Sequence, residues 1–208
     1  MNVLDALNWR YAVRQFSDEK ITSAELKGLL NAVRLSPSSY GLQPYKIIVV
    51  ESKAVREKLL LHSYGQDKIA QSSHLIVFAA QTQIGDTTVD NYIDKYAKIT
   101  NKPHSELINF SEHMKSALAA KTPEQRQVWA HQQAYIALGN LLTCAAVMKI
   151  DSCPMTGIDS AGYDEVLGLD EHGLTTSVIC PIGRRHSEDM QAYSPKVRFD
   201  YDEIVMEI

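Results

Sequence analysis

Apolar residues recur at helical spacing in two stretches of the chain. In the first, Leu26, Leu29, Leu30 and Val33 follow Thr22-Ser23-Ala24-Glu25. That tetrapeptide is a capping box, in which each end can satisfy the other's orphan backbone N–H. The helix it opens is expected to stop at Ser36, because proline disfavours helical backbone in the residue before it and Pro37 follows. In the second, Thr122-Pro123-Glu124-Gln125 combines a cap with proline at the first helical position, and the segment is predicted to run to about Lys149. From Ala134 to Met148 its apolar residues fall on every face, which predicts burial all round, either in a central helix or in one shared with another subunit. Strand signals are short runs of branched apolar residues at Tyr45–Glu51, Leu75–Gln81 and Thr176–Ile182, with a candidate fourth around Cys153–Met155. Helices separate them, so the pattern implies an α/β or α+β layered domain around a buried sheet. Phe199 to Ile208 alternates loosely and has no following element to pack on, which suggests an extended arm reaching a partner subunit.

Composition narrows the class. The 208 residues are 45% hydrophobic and 22% charged, and a chain of this size can bury about 70% of its unfolded surface in one core. No repeat or linker divides it, so residues 1–208 are expected to form a single domain. The longest apolar stretch is shorter than the roughly 20 residues a bilayer requires, and Met1–Asn8 lacks the basic-then-apolar pattern of a secretory signal. No membrane association is expected. A net charge of −4 without a basic block gives no electrostatic footprint for nucleic acid. Anionic ligands would have to be caught locally. Cys144, Cys153 and Cys180 are odd in number and have no metal-ligand spacing, which favours a reducing, cytoplasmic setting and no metal.

The usual nucleotide, hydrolase and metalloprotease signatures are absent, and no acid or base is assigned from spacing. Three local features remain. Around Trp9-Arg10-Tyr11-Ala12-Val13-Arg14-Gln15-Phe16, the two arginines would share one face if the first helix persists, forming a cationic fork for a phosphate. A solvated helix face is the plainer alternative. Next, Ser36-Pro37-Ser38-Ser39-Tyr40-Gly41-Leu42-Gln43-Pro44-Tyr45 is a helix stop and a donor-rich loop leading into a strand. Last, Ser194-Pro195-Lys196-Val197-Arg198 projects two cations together from an extended segment, unless it is a solvated tail.

Taken in order, these segments resemble the FMN-dependent NAD(P)H nitroreductase family, in particular its oxygen-insensitive nitroreductase and dihydropteridine reductase branch. The family's R-x-S-x-[RK]-x-F corresponds to Arg10, Ala12, Arg14 and Phe16. Its P-S-S-x-N-x-Q-P-W corresponds to Pro37, Ser38, Ser39, Gly41, Gln43, Pro44 and Tyr45. Its P-x-x-G turn matches Pro154-Met155-Thr156-Gly157, and its closing P-K-x-R matches Pro195-Lys196-Val197-Arg198. The resemblance implies an α+β fold with a mainly antiparallel central sheet flanked by helices. It also implies an intertwined homodimer whose C-terminal arm reaches the partner, with FMN at the interface and the long helix from Pro123 in the dimer core.

By the same resemblance Arg10, Lys196 and Arg198 hold the FMN phosphate, with Tyr11 and Ala12 beside them. Arg14 and Lys68 lie near the N1/O2 edge of the ring, where fixed positive charge favours the reduced flavin. Pro37, Ser38, Ser39 and Gln43, from the other subunit, address the ribityl chain or ring edge. Backbone of Pro154, Met155, Thr156 and Gly157 faces N5 and O4, and Tyr40 and Phe110 line the substrate pocket. No catalytic acid or base is implied. The implied activity is ping-pong transfer of two electrons from NADH or NADPH to nitroaromatics, quinones or related planar acceptors such as flavins and pteridines. The alternative is a non-catalytic flavin-binding or flavin-carrier module on the same scaffold. Four departures bear on substrate choice: Ala12 stands where the family has serine, Gly41 where asparagine is common, and Gly65 and Thr156 where the compared branch often has Asn and Glu.

Overall fold

The computed structural model describes residues 2–208. Four strands, β1 (Tyr45–Val50), β2 (His74–Gln81), β3 (Asp151–Ser152) and β4 (Leu174–Gly183), form one sheet in the order β1-β2-β4-β3. Every pairing is antiparallel. The three longer strands lie where the branched apolar runs predicted them. The candidate strand at Cys153–Met155 is displaced. The ladder occupies Asp151–Ser152, and Met155 makes only an isolated bridge to Ile179, because Pro154 has no N–H to donate.

The described residues form nine α-helices besides the sheet: α1 (Val3–Trp9), α2 (Ser23–Arg34), α3 (Lys53–Leu61), α4 (Lys68–Gln71), α5 (Asp86–Thr100), α6 (Ile108–Ala119), α7 (Pro123–Val147), α8 (Ser160–Leu167) and α9 (Tyr201–Ile204). Both predicted capping boxes are present, closed by Thr22 with Glu25 and by Thr122 with Gln125. Side chains alternate across β2. Ile76 and Phe78 join Leu29, Val33, Leu138 and Leu141 of α2 and α7 on one face. Leu75 and Val77 join Leu59, Ile69 and Tyr163 of α3, α4 and α8 on the other. Burial on both faces explains why the strands read as continuous apolar runs. A separate cluster under α5 and α6 gathers Val89, Ile93, Met114 and Leu118 against Leu42 and Ala130.

One expectation is narrowed and another revised. Within one protomer the second half of α7 is not a fully covered central helix, which leaves the alternative of a helix shared with another subunit: Ala134, Ala137, Leu141 and Ala145 are buried, while Tyr135 and Ile136 are each 44% exposed and Val147 41%. The C-terminal segment is not wholly extended. Asp200 and Glu203 close a capping box over the single turn of α9, whose carboxylates favour a helix start.

Candidate functional site

Arg10 is the C-cap of α1 and is already extended, at φ −73° and ψ 143°. Residues 10–16 therefore do not continue the helix on which the two arginines were expected to share a face. They form an extended segment against the sheet, with Ala12 bridging Ser152 and Phe16 bridging Arg185. Val13 and Phe16 are buried and hold it down. The N–H groups of Arg14 and Gln15, which a helix would bond internally, go instead to the Asp189 carboxylate at 2.7 and 3.2 Å. An extended chain still places residues 10, 12 and 14 on one side.

Both ends of the chain meet there. Arg10, Tyr11, Ala12 and Arg14 line a groove of about 410 Å³ together with Lys196 and Arg198, and no carboxylate lines it. None of its four cations forms an ion pair among the described residues. The Lys196 ammonium donates to the carbonyls of Leu7, at 2.6 Å, and Arg10, so it caps the end of α1 and ties the two termini together. Arg198 is exposed, and its guanidinium donates only to the Val197 carbonyl, at 2.5 Å. The Nε of Arg10 is buried without a partner. Burial, and among the nearby cations Arg198, pulls the Arg10 guanidinium below the usual arginine range. Burial, then Arg10 and Arg198, does the same to Lys196. The groove is thus a set of crowded positive charges awaiting an anion.

Lys68, on α4, is buried and does not line the groove. Burial pushes the Cys153 thiol up, and the charges opposing that are, in order, Lys68, Arg14 and Arg10, so all three cations act on one buried thiol. Beside it the chain leaves β3 through Pro154-Met155-Thr156-Gly157. Met155 is fixed by mutual backbone bonds with Ile179, and Thr156 and Gly157 are exposed. Gln66, two residues before Lys68, donates to the Gly157 carbonyl at 3.2 Å and so couples that turn to the lysine.

The loop after α2 lies outside this groove within one protomer. Pro37 and Ser39 are exposed, the Ser38 hydroxyl accepts the Gln43 N–H at 3.0 Å, and the Gln43 amide donates to Arg34. Gln133 of α7 accepts the Ser39 N–H at 2.8 Å. The loop is tightly wound, with Tyr40, Gly41 and Gln43 all at positive φ. Glycine is required at position 41, because a Cβ there would meet the Tyr92 hydroxyl at 2.9 Å. Tyr40 packs edge-on to His113 of α6, and Phe110, one turn earlier on α6, packs edge-on to Tyr92 and Tyr96.

Several residues that position these groups carry no motif signal. Arg185 is stacked over the Trp9 and Tyr11 rings, at 4.2 and 4.6 Å, while its Nε bonds Asp151 at 2.8 Å. Asp189 meets Arg14 across 175 positions of sequence. The one local hint is that Asp189 opens the turn at Met190–Tyr193, a usual place for aspartate.

The fold is thus a helix-flanked antiparallel sheet with a cationic groove built from both ends of the chain. The chain belongs to the nitroreductase family, whose model it matches over residues 7–184. It is 31% identical to a Staphylococcus saprophyticus protein whose name assigns it to the NAD(P)H nitroreductases, across 98% of this chain and 95% of that one. Among solved structures it is similar to the Bacillus subtilis nitroreductase ydfN, with a TM-score of 0.87 at 23% identity over 99% and 98% of the two chains. It is also similar to an Exiguobacterium sibiricum nitroreductase solved in complex with FMN, with a TM-score of 0.85 at 18% identity over 100% and 98%. These likenesses match the α+β fold expected from the sequence. Among the described residues no helix is long and apolar enough to cross a membrane.

Proposed function

We propose that this protein is an FMN-dependent NAD(P)H oxidoreductase acting as a homodimer on small planar acceptors in the cytoplasm. The observation that carries the reading is the unneutralised groove, lined by an Arg10 whose buried Nε has no partner. A phosphate dianion is the group such a donor set fits, because several cations and free N–H donors converge where no carboxylate competes. The relative named as an NAD(P)H nitroreductase and the neighbour solved with FMN support the same choice.

Arg10, Lys196 and Arg198 would hold the phosphate, with Tyr11 and Ala12 forming the adjoining wall. When bound, FMN supplies hydride acceptance from NADH or NADPH and two-electron donation to the acceptor, in alternation. Arg14 and Lys68 would hold positive charge beside the flavin ring, and fixed positive charge there would favour the reduced cofactor without either residue moving a proton. The Pro154–Gly157 turn, fixed by Ile179 and Gln66, would offer backbone groups to the ring. Pro37, Ser38, Ser39 and Gln43 of a second protomer would close on the ribityl chain. Tyr40 and Phe110 would line the acceptor pocket, joined through α6. A flat site of this kind selects by planarity, so nitroaromatics, quinones and oxidised flavins or pteridines are all candidate acceptors.

The dimer is supported by apolar surface that one protomer leaves bare: Tyr135, Ile136 and Val147 on α7, and Phe199, Ile204 and Met206 on the arm. β1 is an open sheet edge that such an arm can cover. The test is reconstitution with FMN, followed by anaerobic NADH or NADPH. The flavin band should bleach, and menadione or nitrofurazone should restore it with multiple turnovers. A protein that retains no FMN, or one reduced only stoichiometrically, contradicts the assignment.

A further inference from the structure

We infer that Asp189 is the positioning residue of the phosphate groove, latching the two chain ends in register while leaving their cations unpaired. This rests on the flavin reading above. Asp189 is 4% exposed and stands behind a groove lined by four positive side chains, yet it forms no ion pair with any of them. Three backbone N–H groups share its two oxygens. Oδ2 accepts from Arg14 N at 2.7 Å and Gln15 N at 3.2 Å, and Oδ1 accepts from Gln191 N at 3.1 Å. The first pair lies in the segment that carries Arg10 and Arg14. The third opens the turn that delivers Lys196 and Arg198.

A carboxylate placed among cations ordinarily neutralises them. Here it fixes the backbone beneath them instead, so the groove keeps its charge and gains a defined shape. Burial alone would raise the Asp189 carboxyl, but the backbone N–H groups of Arg14, Gln15 and Gln191, and after them the Tyr11 hydroxyl, outweigh burial and hold it below the usual range. It is therefore ionised throughout the neutral range and acts as a permanent latch. Pre-organisation of this kind matters most to the part of a ligand that the cations touch.

The experiment compares FMN with riboflavin, which lacks the phosphate, on wild type, Asp189→Asn, Arg10→Ala and the double variant. Asparagine keeps the shape but can accept through only one oxygen. In Asp189→Asn the Kd for FMN should rise about 10-fold while that for riboflavin changes less than about 2-fold. In the double variant the loss of FMN affinity should fall well short of the product of the single losses, because both changes remove the same interaction. Equal weakening of both flavins, or multiplicative losses in the cycle, would show a merely structural role and overturn the inference. Melting of each apoprotein confirms folding. If the asparagine variant does not fold, Asp189→Ser, whose hydroxyl can still accept one N–H, carries the same comparison. A wild-type protein that binds neither flavin refutes the flavin reading itself, whereas wild-type FMN binding with an unchanged FMN-to-riboflavin ratio in the variant refutes only the role of Asp189.

Discussion

Arg10 and Arg198 line the same groove, but they should not be worth the same to it. The Arg10 guanidinium is half-buried, its Nε has no partner, and desolvation has already been imposed on it by the fold. A bound phosphate would satisfy that donor without further cost. Hydrogen bonds to charged groups contribute about 1.5–3 kcal/mol, and a buried orphan belongs at the upper end, so Arg10→Ala should weaken FMN by roughly 30- to 150-fold. Arg198 is exposed and screened, where an ion pair contributes up to about 1 kcal/mol, so Arg198→Ala should cost about 5-fold. Apoprotein stability should move the other way. Arg10 crowds Lys196 and Arg198 and has no counter-charge, so its removal should leave the apo melting temperature unchanged or higher. Quenching of FMN fluorescence on titration with apoprotein gives the affinities, and calorimetry of the apoprotein gives the stabilities. The reasoning fails if Arg198→Ala is the more damaging change, or if Arg10→Ala stays within about 2-fold of wild type.

Further outcomes follow from the same geometry. Gly41→Ala should destabilise by about 1–3 kcal/mol in thermal unfolding, because its Cβ would meet the Tyr92 hydroxyl at 2.9 Å in a left-handed backbone that favours glycine. Gly183→Ala should cost a similar amount, since its Cβ would press at 2.9 Å on Phe16, the anchor of the segment carrying Arg10 and Arg14; weakened FMN binding should accompany the lower melting temperature. The Thr22 N–H first, then the Arg184 guanidinium and the Thr22 hydroxyl, bring the Glu25 carboxyl down to about 2. A carboxyl lowered on folding contributes stability above its ordinary value and loses it on acidification. Wild type should therefore be more stable than Glu25→Gln at pH 7, with the difference shrinking between about pH 5 and pH 2 in denaturant titrations.

How much was legible depended on whether the deciding interaction was local. The starts of α2 and α7 were readable because a cap and its partner stand three residues apart, and both boxes close as expected. β1, β2 and β4 were readable because a sheet covered on both faces demands unbroken apolar runs. Arg10 and Arg14 line one groove as a fork, but on extended backbone and not on a helix, because a spacing of four fits a helical face and also one side of an extended strand. The choice between them is made by Asp189, far along the chain, which takes the N–H groups that a helix would have used. Two-residue β3 carries too little pattern to be found from sequence, and the proline after Cys153 moved the ladder upstream. The bare side of α7 could not be separated from its buried side by periodicity, because alanine, tyrosine and isoleucine interleave there. The same applies to Lys68, whose place beside Cys153 is fixed by tertiary packing and by no spacing in the sequence.

The central claim is that positive side chains from both termini hold the phosphate of a flavin mononucleotide. A crystal structure of the FMN-reconstituted protein tests it most directly. The account predicts the phosphate within hydrogen-bond distance of Arg10 Nε and bracketed by Lys196 and Arg198; a phosphate bound elsewhere, with those three side chains still free, would contradict it.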